Sequence, residues 1–140
     1  MREWINDYCR QMRAVDEEFK AAWNATIYRI GGKIFVMLSE YKDGRPLMTV
    51  KLEPVFSEIL RAQFPGDIIP GYYTDKTHWS SLFLDSIVPD DVARAMLDNA
   101  YQTTFSTLTK KLQSQILEQS SSNDPSVVSI ANNSIESINS

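Results

Sequence analysis

The side chains best suited to chemistry are concentrated in one stretch, PGYYTDKTHW, which covers residues 70–79. It contains two tyrosines, a lysine, a tryptophan and the only histidine of the chain, around a Pro-Gly turn. Side chains of this kind hold a small molecule or an anion when they converge in a concave pocket. The candidate pocket residues are Tyr72, Tyr73, Lys76 and His78.

A catalytic role for this stretch has less support than a structural one. Asp75 and His78 are three residues apart and can hydrogen-bond, but we favour a His78 that satisfies a turn or strand end. Trp79 lies in an alternating strand pattern and is predicted to belong to the core. Cys9 is far from His78 in sequence, and no P-loop, HExxH, GxSxG or dinucleotide motif is present. The sequence therefore predicts no enzyme activity, no metal and no cofactor.

Basic residues on or beside the predicted strands offer a second kind of site. If they project from one face of a sheet, close to a tyrosine and His78, they form a modest surface for anions or phosphate. Alternatively, these residues keep the wet face of an antiparallel sheet soluble and protect its edges, and their spacing alone favours this alternative. The residues concerned are Arg29, Lys33, Lys51 and Lys76.

Composition limits the partners that can be expected. The chain has 140 residues, 43% of them hydrophobic, which fits one domain with a core of its own. Its 14 Lys and Arg residues are outnumbered by 18 Asp and Glu residues, and no segment is a basic block. This distribution counts against tight, phosphate-driven binding of nucleic acid. Since there is no apolar run of about 18 residues and no secretory leader, we expect a cytoplasmic protein with no membrane span. We also expect a monomer.

Strand signals dominate the first half of the chain. The segments ATIYRI, KIFVML and LMTVKL predict three strands, with Gly31-Gly32 as a tight hairpin turn between the first two. The segments DIIPGYY and HWSSLFLD predict two further extended stretches, which gives about five strands in all. Residues 16–20 are interpreted as a connection. Their acidic triplet, Asp16-Glu17-Glu18, is interpreted as a solvated loop and not as a cation site.

Helix signals flank the strands. An apolar stripe near Trp4 predicts a first helix, Pro54 opens a short one, and Pro89 starts a long C-terminal helix that reaches Leu112. After Glu118 the composition becomes rich in Ser and Asn and contains no aromatic residue. We therefore predict one α+β domain over 1–118 and a flexible tail over 119–140.

Three quoted segments together resemble the MmcQ/YjbR family of small bacterial proteins. They are NATIYRIGGKIFVMLSE, VKLEPVFSEILRAQFPGDIIPGYYTDKTHWSSLFLD and PDDVARAMLDNAYQTTFSTLTKKL. The resemblance extends from about Glu3 to Gln113. Its most specific feature is the order of its parts: GGK–F, PG–PGY, K–HW, and a final helix that ends in a KK pair.

The resemblance implies both a fold and a function. The implied fold is CyaY-like: an antiparallel sheet of about five strands covered on one face by helices. The implied function is DNA binding by a "double wing". The matching residues are Lys33, Gly71, Tyr72, Lys76, His78, Trp79, Lys110 and Lys111. The chain departs from the family pattern at Tyr73, Thr74 and Asp75, and Asp75 brings a negative charge next to Lys76.

The sequence thus predicts a non-enzymatic binding protein that binds DNA weakly through a modest basic face of the sheet. The residues proposed for DNA are Arg29, Lys33, Lys51, Lys76, His78, Lys110 and Lys111. Two alternatives remain open at this stage. One is a protein-interaction module that uses the sheet face or the C-terminal tail, and the other is a small-molecule or anion-binding protein.

Overall fold

The structure is a computed structural model, and it describes residues 2–72 and 74–123. Four helices and six strands follow one another along the chain, with a short 3-10 helix at Ala21–Trp23. The helices are α1 (Trp4–Arg10), α2 (Pro54–Gln63), α3 (Asp90–Phe105) and α4 (Lys110–Asn123). The strands are β1 (Val15–Lys20), β2 (Ala25–Ile30), β3 (Lys33–Glu40), β4 (Pro46–Lys51), β5 (Ile68–Pro70) and β6 (Trp79–Phe83).

All six strands form one antiparallel sheet in the order β1-β2-β3-β4-β6-β5. One face of this sheet is covered by the helices. Tyr28, Val36 and Val50 lie opposite one another on β2, β3 and β4 and belong to the same buried cluster as Met96 and Leu97 of α3. The predicted α+β class, with an antiparallel sheet covered on one face, is confirmed.

The sheet has one strand more than the sequence predicts, because β1 is a strand and not a connection. Its side chains are mostly exposed, so it lacks the alternation that marks a half-buried strand. Antiparallel backbone pairing of all six residues with β2 holds it in the sheet, and two partly exposed ion pairs accompany this pairing: Arg10 binds Glu17 at 2.8 Å and Arg29 binds Glu18 at 2.7 Å. The acidic triplet is therefore part of a charged edge strand, a common protection of sheet edges.

The predicted long C-terminal helix is in fact two helices, and hydroxyl groups explain the break. The Ser106 and Thr107 hydroxyls donate to the carbonyls of Thr103 and Thr104, which competes with regular helix hydrogen bonds. The Thr109 hydroxyl then accepts the N–H of Leu112 at 3.1 Å, as an N-cap residue does.

The predicted domain boundary after Glu118 falls inside α4, whose backbone is helical up to Asn123. Residues 124–140, which make up most of the predicted tail, lie outside the described residues.

The predicted hairpin turn at Gly31-Gly32 is confirmed, with φ values of 60° and 82°. Gly31 also packs against the connection between α3 and α4: a Cβ there would lie 2.7 Å from Leu108 Cδ1. Around Gly32 no atom lies within 4 Å of such a Cβ. The turn thus joins the sheet to the helical layer through Gly31 alone.

These two glycines form a matched pair for mutation. Gly32→Ala is expected to lower the free energy of unfolding by about 1 kcal/mol, since only the left-handed backbone is penalised. Gly31→Ala is expected to cost about 1–3 kcal/mol more, because buried Leu108 must move. Urea unfolding measures both, and equal losses would contradict the described contact.

Candidate ligand-binding groove and the cationic end of the sheet

The sheet face opposite the helices, here called the open face, carries the apolar side chains of Ile34 and Met37 beside hydroxyl groups at its centre. Side chains alternate between the two faces of a strand, so Met37 and Thr49 point away from the core that holds Val36 and Val50. An antiparallel sheet with one uncovered face normally carries polar residues there. Exposed apolar surface in such a place marks a site of interaction.

A groove of about 630 Å³ lies on the open face. Trp23 bounds it where the 3-10 helix leads into β2, and its side chain is 53% exposed. Tyr72 and Trp79 bound it on the side of β6. Its floor includes Ile34, Met37 and Thr49.

The polar atoms beneath the groove are already satisfied. The buried hydroxyls of Thr49 and Ser81 are hydrogen-bonded at 2.7 Å, and the backbone N–H of Tyr72 donates to Ser81 Oγ at 3.1 Å. Buried hydroxyls with partners make no demand on a ligand. The centre of the groove therefore suits an apolar group.

Aromatic packing fixes the Tyr72 wall. The Tyr41 ring lies 4.8 Å from that of Tyr72 and 5.1 Å from that of Phe83. The Arg45 guanidinium sits 3.8 Å from the Phe83 ring centroid and binds both carboxylate oxygens of Asp85. This wall is preorganised, which limits the entropy that a ligand must remove on binding.

The loop between β5 and β6 is closed by hydrogen bonds, and Tyr72 and Trp79, near its two ends, line the groove. The Gly71 N–H donates to the Trp79 carbonyl at 2.9 Å, and the Lys76 ammonium donates to the Gly71 carbonyl. A Cβ on Gly71 would overlap Thr74 and Trp79, so the loop closes only with glycine at this position.

Of the pocket residues that the sequence predicts, Tyr72, Tyr73, Lys76 and His78, the structure describes three and turns two of them away from the groove. Lys76 is turned into its own loop, and His78 Nδ1 is hydrogen-bonded to Asp75 at 2.6 Å. That hydrogen bond lowers the pKa of Asp75. Tyr72 alone of the three lines the groove. Tyr73 lies outside the described residues.

Trp79 also differs from its prediction. The alternating pattern predicts a core residue, but the side chain is only half-buried and lines the groove. The reason is the direction of the alternation: Trp79 shares a face with Ser81, while Ser80 points to the helical side and bonds Ser57. The sequence thus predicts the alternation of β6 correctly but assigns Trp79 to the wrong face.

The predicted basic residues come together at one end of the sheet, the end that carries the Gly31-Gly32 turn. Antiparallel pairing brings the start of β3, the end of β4 and the start of β6 to this end. The start of α4 joins them, because Lys33 Nζ is 3.0 Å from Thr107 Oγ1. We call this the cationic end. Its members are Arg29, Lys33, Lys51, Lys76, His78, Lys110 and Lys111.

The side chains of the cationic end do not all lie on one face of the sheet. Arg29 and Lys51 lie on the open face, whereas Lys33 is paired with Ile30 of the core side. Several are engaged: Arg29 with Glu18, Lys33 with Thr107, and Lys76 and His78 within their loop. Within residues 2–72 and 74–118, Lys51, Lys110 and Lys111 form no ion pair.

In the described part of the chain, no nucleophile or metal-ligand cluster is assembled. Cys9 is fully buried, and burial raises the pKa of its thiol to about 12. Among the residues that the structure describes, no three His, Cys, Asp or Glu side chains could hold a metal ion together. The same residues include no helix that is long and apolar enough to cross a membrane.

Sequence reasoning missed Trp23, Ile34 and Met37 as site residues. One signal could have found two of them: IFVML, residues 34–38, is an unbroken apolar run, which indicates a strand with both faces apolar. Trp23 gives no comparable signal, because it belongs to the site only through the pairing of β2 with β3.

A protein-family model described as YjbR matches residues 10–103. The uncharacterized protein YjbR of Escherichia coli K12 is 27% identical over 111 residues, which is 79% of this chain and 92% of that protein. The uncharacterized protein YbdF of E. coli O157:H7 is 30% identical over 90 residues, which is 64% of this chain and 72% of that protein.

Solved structures share the fold. The crystal structure of Deinococcus radiodurans protein DR2400 superimposes with a TM-score of 0.73 at 22% identity, covering 80% of this chain and 84% of that one. A Pseudomonas syringae crystal structure gives a TM-score of 0.64 at 16% identity, covering 74% and 98%. At these identities the likeness concerns the fold alone.

Cys9 provides a direct test of the described burial. The native protein is expected to react slowly with an aromatic disulfide reagent at pH 8, and one thiol is expected to titrate rapidly in guanidinium. The Cys9 thiol of the unfolded chain ionises at about pH 8.5, whereas the buried thiol of the folded protein is still protonated at that pH. The contribution of Cys9 to the free energy of unfolding should therefore be lost as the pH rises above that value. Rapid labelling of the native protein would contradict the burial.

Proposed function

Because the chain belongs to the YjbR family, whose E. coli members above are named as uncharacterized, we propose a function from its own surface. We infer that it is a binding protein, not an enzyme, and that the open-face groove holds the apolar part of a small molecule. The observation that supports this most directly is a preorganised, apolar groove on a face that the helices leave uncovered.

The dimensions of the groove support a small ligand. Small-molecule sites usually measure about 300–1,000 Å³ and are lined by apolar and aromatic side chains with few polar groups. The groove, at about 630 Å³, falls in this range, and it is bounded by Trp23, Tyr72 and Trp79. Its concavity also favours a compact ligand over the flat surface of a partner protein.

The side chains near the groove support binding without catalysis. Catalysis by a nucleophile needs an accessible Ser, Cys or Thr beside a base. Ser80 is buried and hydrogen-bonded to Ser57, and Cys9 is buried in the core. The Asp75–His78 pair lies in the exposed loop, and no hydroxyl in the described residues is hydrogen-bonded to His78.

A second candidate function is weak DNA binding at the cationic end. It is favoured by one observation: Lys51, Lys110 and Lys111 lie at that end without an ion pair in the described part of the chain. Phosphate groups bind such free ammonium groups with the release of counterions. A net charge of −4 opposes this binding, so it should be weak and strongly salt-dependent.

The groove can be tested with phenylnaphthylamine, a neutral aromatic dye that brightens in apolar sites. The dye is expected to bind the unmodified protein, and Met37→Glu is expected to weaken binding about tenfold or more by burying a charge in the floor. Ile87→Glu is the matched control, because Ile87 is 91% exposed and lies outside the groove. If the dye does not bind, or if both variants weaken it equally, the proposed groove is wrong.

DNA binding can be tested by fluorescence anisotropy with a labelled random duplex over a range of salt concentrations. Replacing Lys110 and Lys111 by Ala should reduce the log–log salt slope by about 0.9 for each phosphate that the variant no longer neutralises. The double control Lys20→Ala, Lys42→Ala removes the same charge at the opposite end of the sheet. Absence of binding at low salt, or an equal reduction in the control, would rule out the cationic end as a DNA site.

A further inference from the structure

We propose that the ligand of the groove is an amphipathic anion: its apolar part fills the groove and its single acid group pairs with Lys51. This inference rests on the proposed function and adds the chemical class of the ligand. It depends on where Lys51 lies, on the groups that its neighbours already bind, and on the charges at the other end of the groove.

Lys51 flanks the groove at its Trp79 wall. It is the last residue of β4, two positions after Thr49, so both side chains lie on the open face. The Cα partner of Lys51 on β6 is Trp79 itself. Side chains directly opposite in an antiparallel pair have Cβ atoms about 4.5–5.5 Å apart. An ammonium group is therefore within reach of a ligand that stacks on Trp79.

Lys51 has no ion-pair partner among the described residues, whereas two arginines that border the open face do. On the open face Arg29 is bound to Glu18 at 2.7 Å, and at the Tyr72 wall Arg45 is bound to Asp85 at 2.8 Å. Lys51 has no such partner among the described residues and is half-buried. A half-buried ammonium with no carboxylate is a site for an incoming anion, because water screens it less than a fully exposed charge.

Two carboxylates close to Lys51 in sequence or on the loop that leads into β6 have other partners. Glu53 accepts the N–H of Phe56 at 2.9 Å as the N-cap of α2. Asp75 accepts both His78 Nδ1 and the N–H of Thr77. Neither of these hydrogen-bonded carboxylates is paired with Lys51.

The charges at the opposite end of the groove are mixed. Glu40 lines the groove there, whereas Lys20 and Lys42 lie 4.8 Å and 5.6 Å from the ring centroids of Trp23 and Tyr41. Among the described residues, Glu40 is the charged side chain that lines the groove itself. Ile34, at the Lys51 end of the floor, and Glu40 are six residues apart on β3, a distance of about 20 Å along a strand. We therefore expect the acid group to point away from Glu40 and toward Lys51.

A matched pair of dyes isolates the contribution of the acid group. Anilinonaphthalene sulfonate and its neutral parent phenylnaphthylamine share the same apolar body and differ by one sulfonate. The anion is expected to bind the unmodified protein about tenfold more tightly than the parent, as a charge-assisted contact allows. Lys51→Gln should remove this advantage and leave the affinity for the neutral dye unchanged. Lys33→Gln, the same change on the helical side, should leave both affinities unchanged.

The possible failures are distinguishable. If the neutral dye binds in a Met37→Glu-sensitive manner but the anion has no advantage, the anion inference is wrong and the groove remains. If Lys33→Gln weakens the anion as much as Lys51→Gln does, the attraction is general and the assignment to Lys51 is overturned. If neither dye binds, both the groove and its ligand class are rejected.

Discussion

The constraint on which this structure depends is that, within the part of the chain that the structure describes, helices cover one face of a six-stranded sheet and leave the other without a layer. The covered face is closed by the cluster around Tyr28, Val36 and Met96. The open face must satisfy its own polar groups and bury its own apolar groups. It does so with the Thr49–Ser81 hydroxyl pair and with aromatic rings from outside the sheet. Because those rings come from two sides and do not meet, a groove remains between them.

The paired and the unpaired charges also lie in different parts of the sheet. The edge strand β1, which pairs with β2 along its whole length, carries carboxylates that neutralise Arg10 and Arg29. Lys51, Lys110 and Lys111, which form no ion pair within the described residues, lie at the end of the sheet beside the Gly31-Gly32 turn, where four elements meet. Binding by this protein is accordingly expected to depend first on apolar contact and only secondarily on charge. An acidic net charge is compatible with a site of this kind, whereas it opposes extensive binding to phosphates.

Local signals predicted most of the fold, and non-local pairing decided the rest. The β2–β3 hairpin was predictable because Gly31-Gly32 requires positive φ, and α2 because Pro54 suits a first helical turn. Strand β1 has no apolar alternation, so its membership of the sheet follows only from pairing with β2. The groove was not predictable as a site, since Trp23 and Trp79 come from distant segments. The residues that looked most chemical, Lys76 and His78, serve to close a loop.

Binding of a small apolar group to the open face of the sheet can be tested by NMR titration of the isotope-labelled protein with phenylnaphthylamine. We predict that the largest backbone amide shifts fall on Met37, Thr49, Tyr72 and the residues next to them. We also predict a shift of the Trp79 indole N–H and little change along α3. Shifts concentrated on the helices, or spread evenly over the molecule, would contradict binding at the open face.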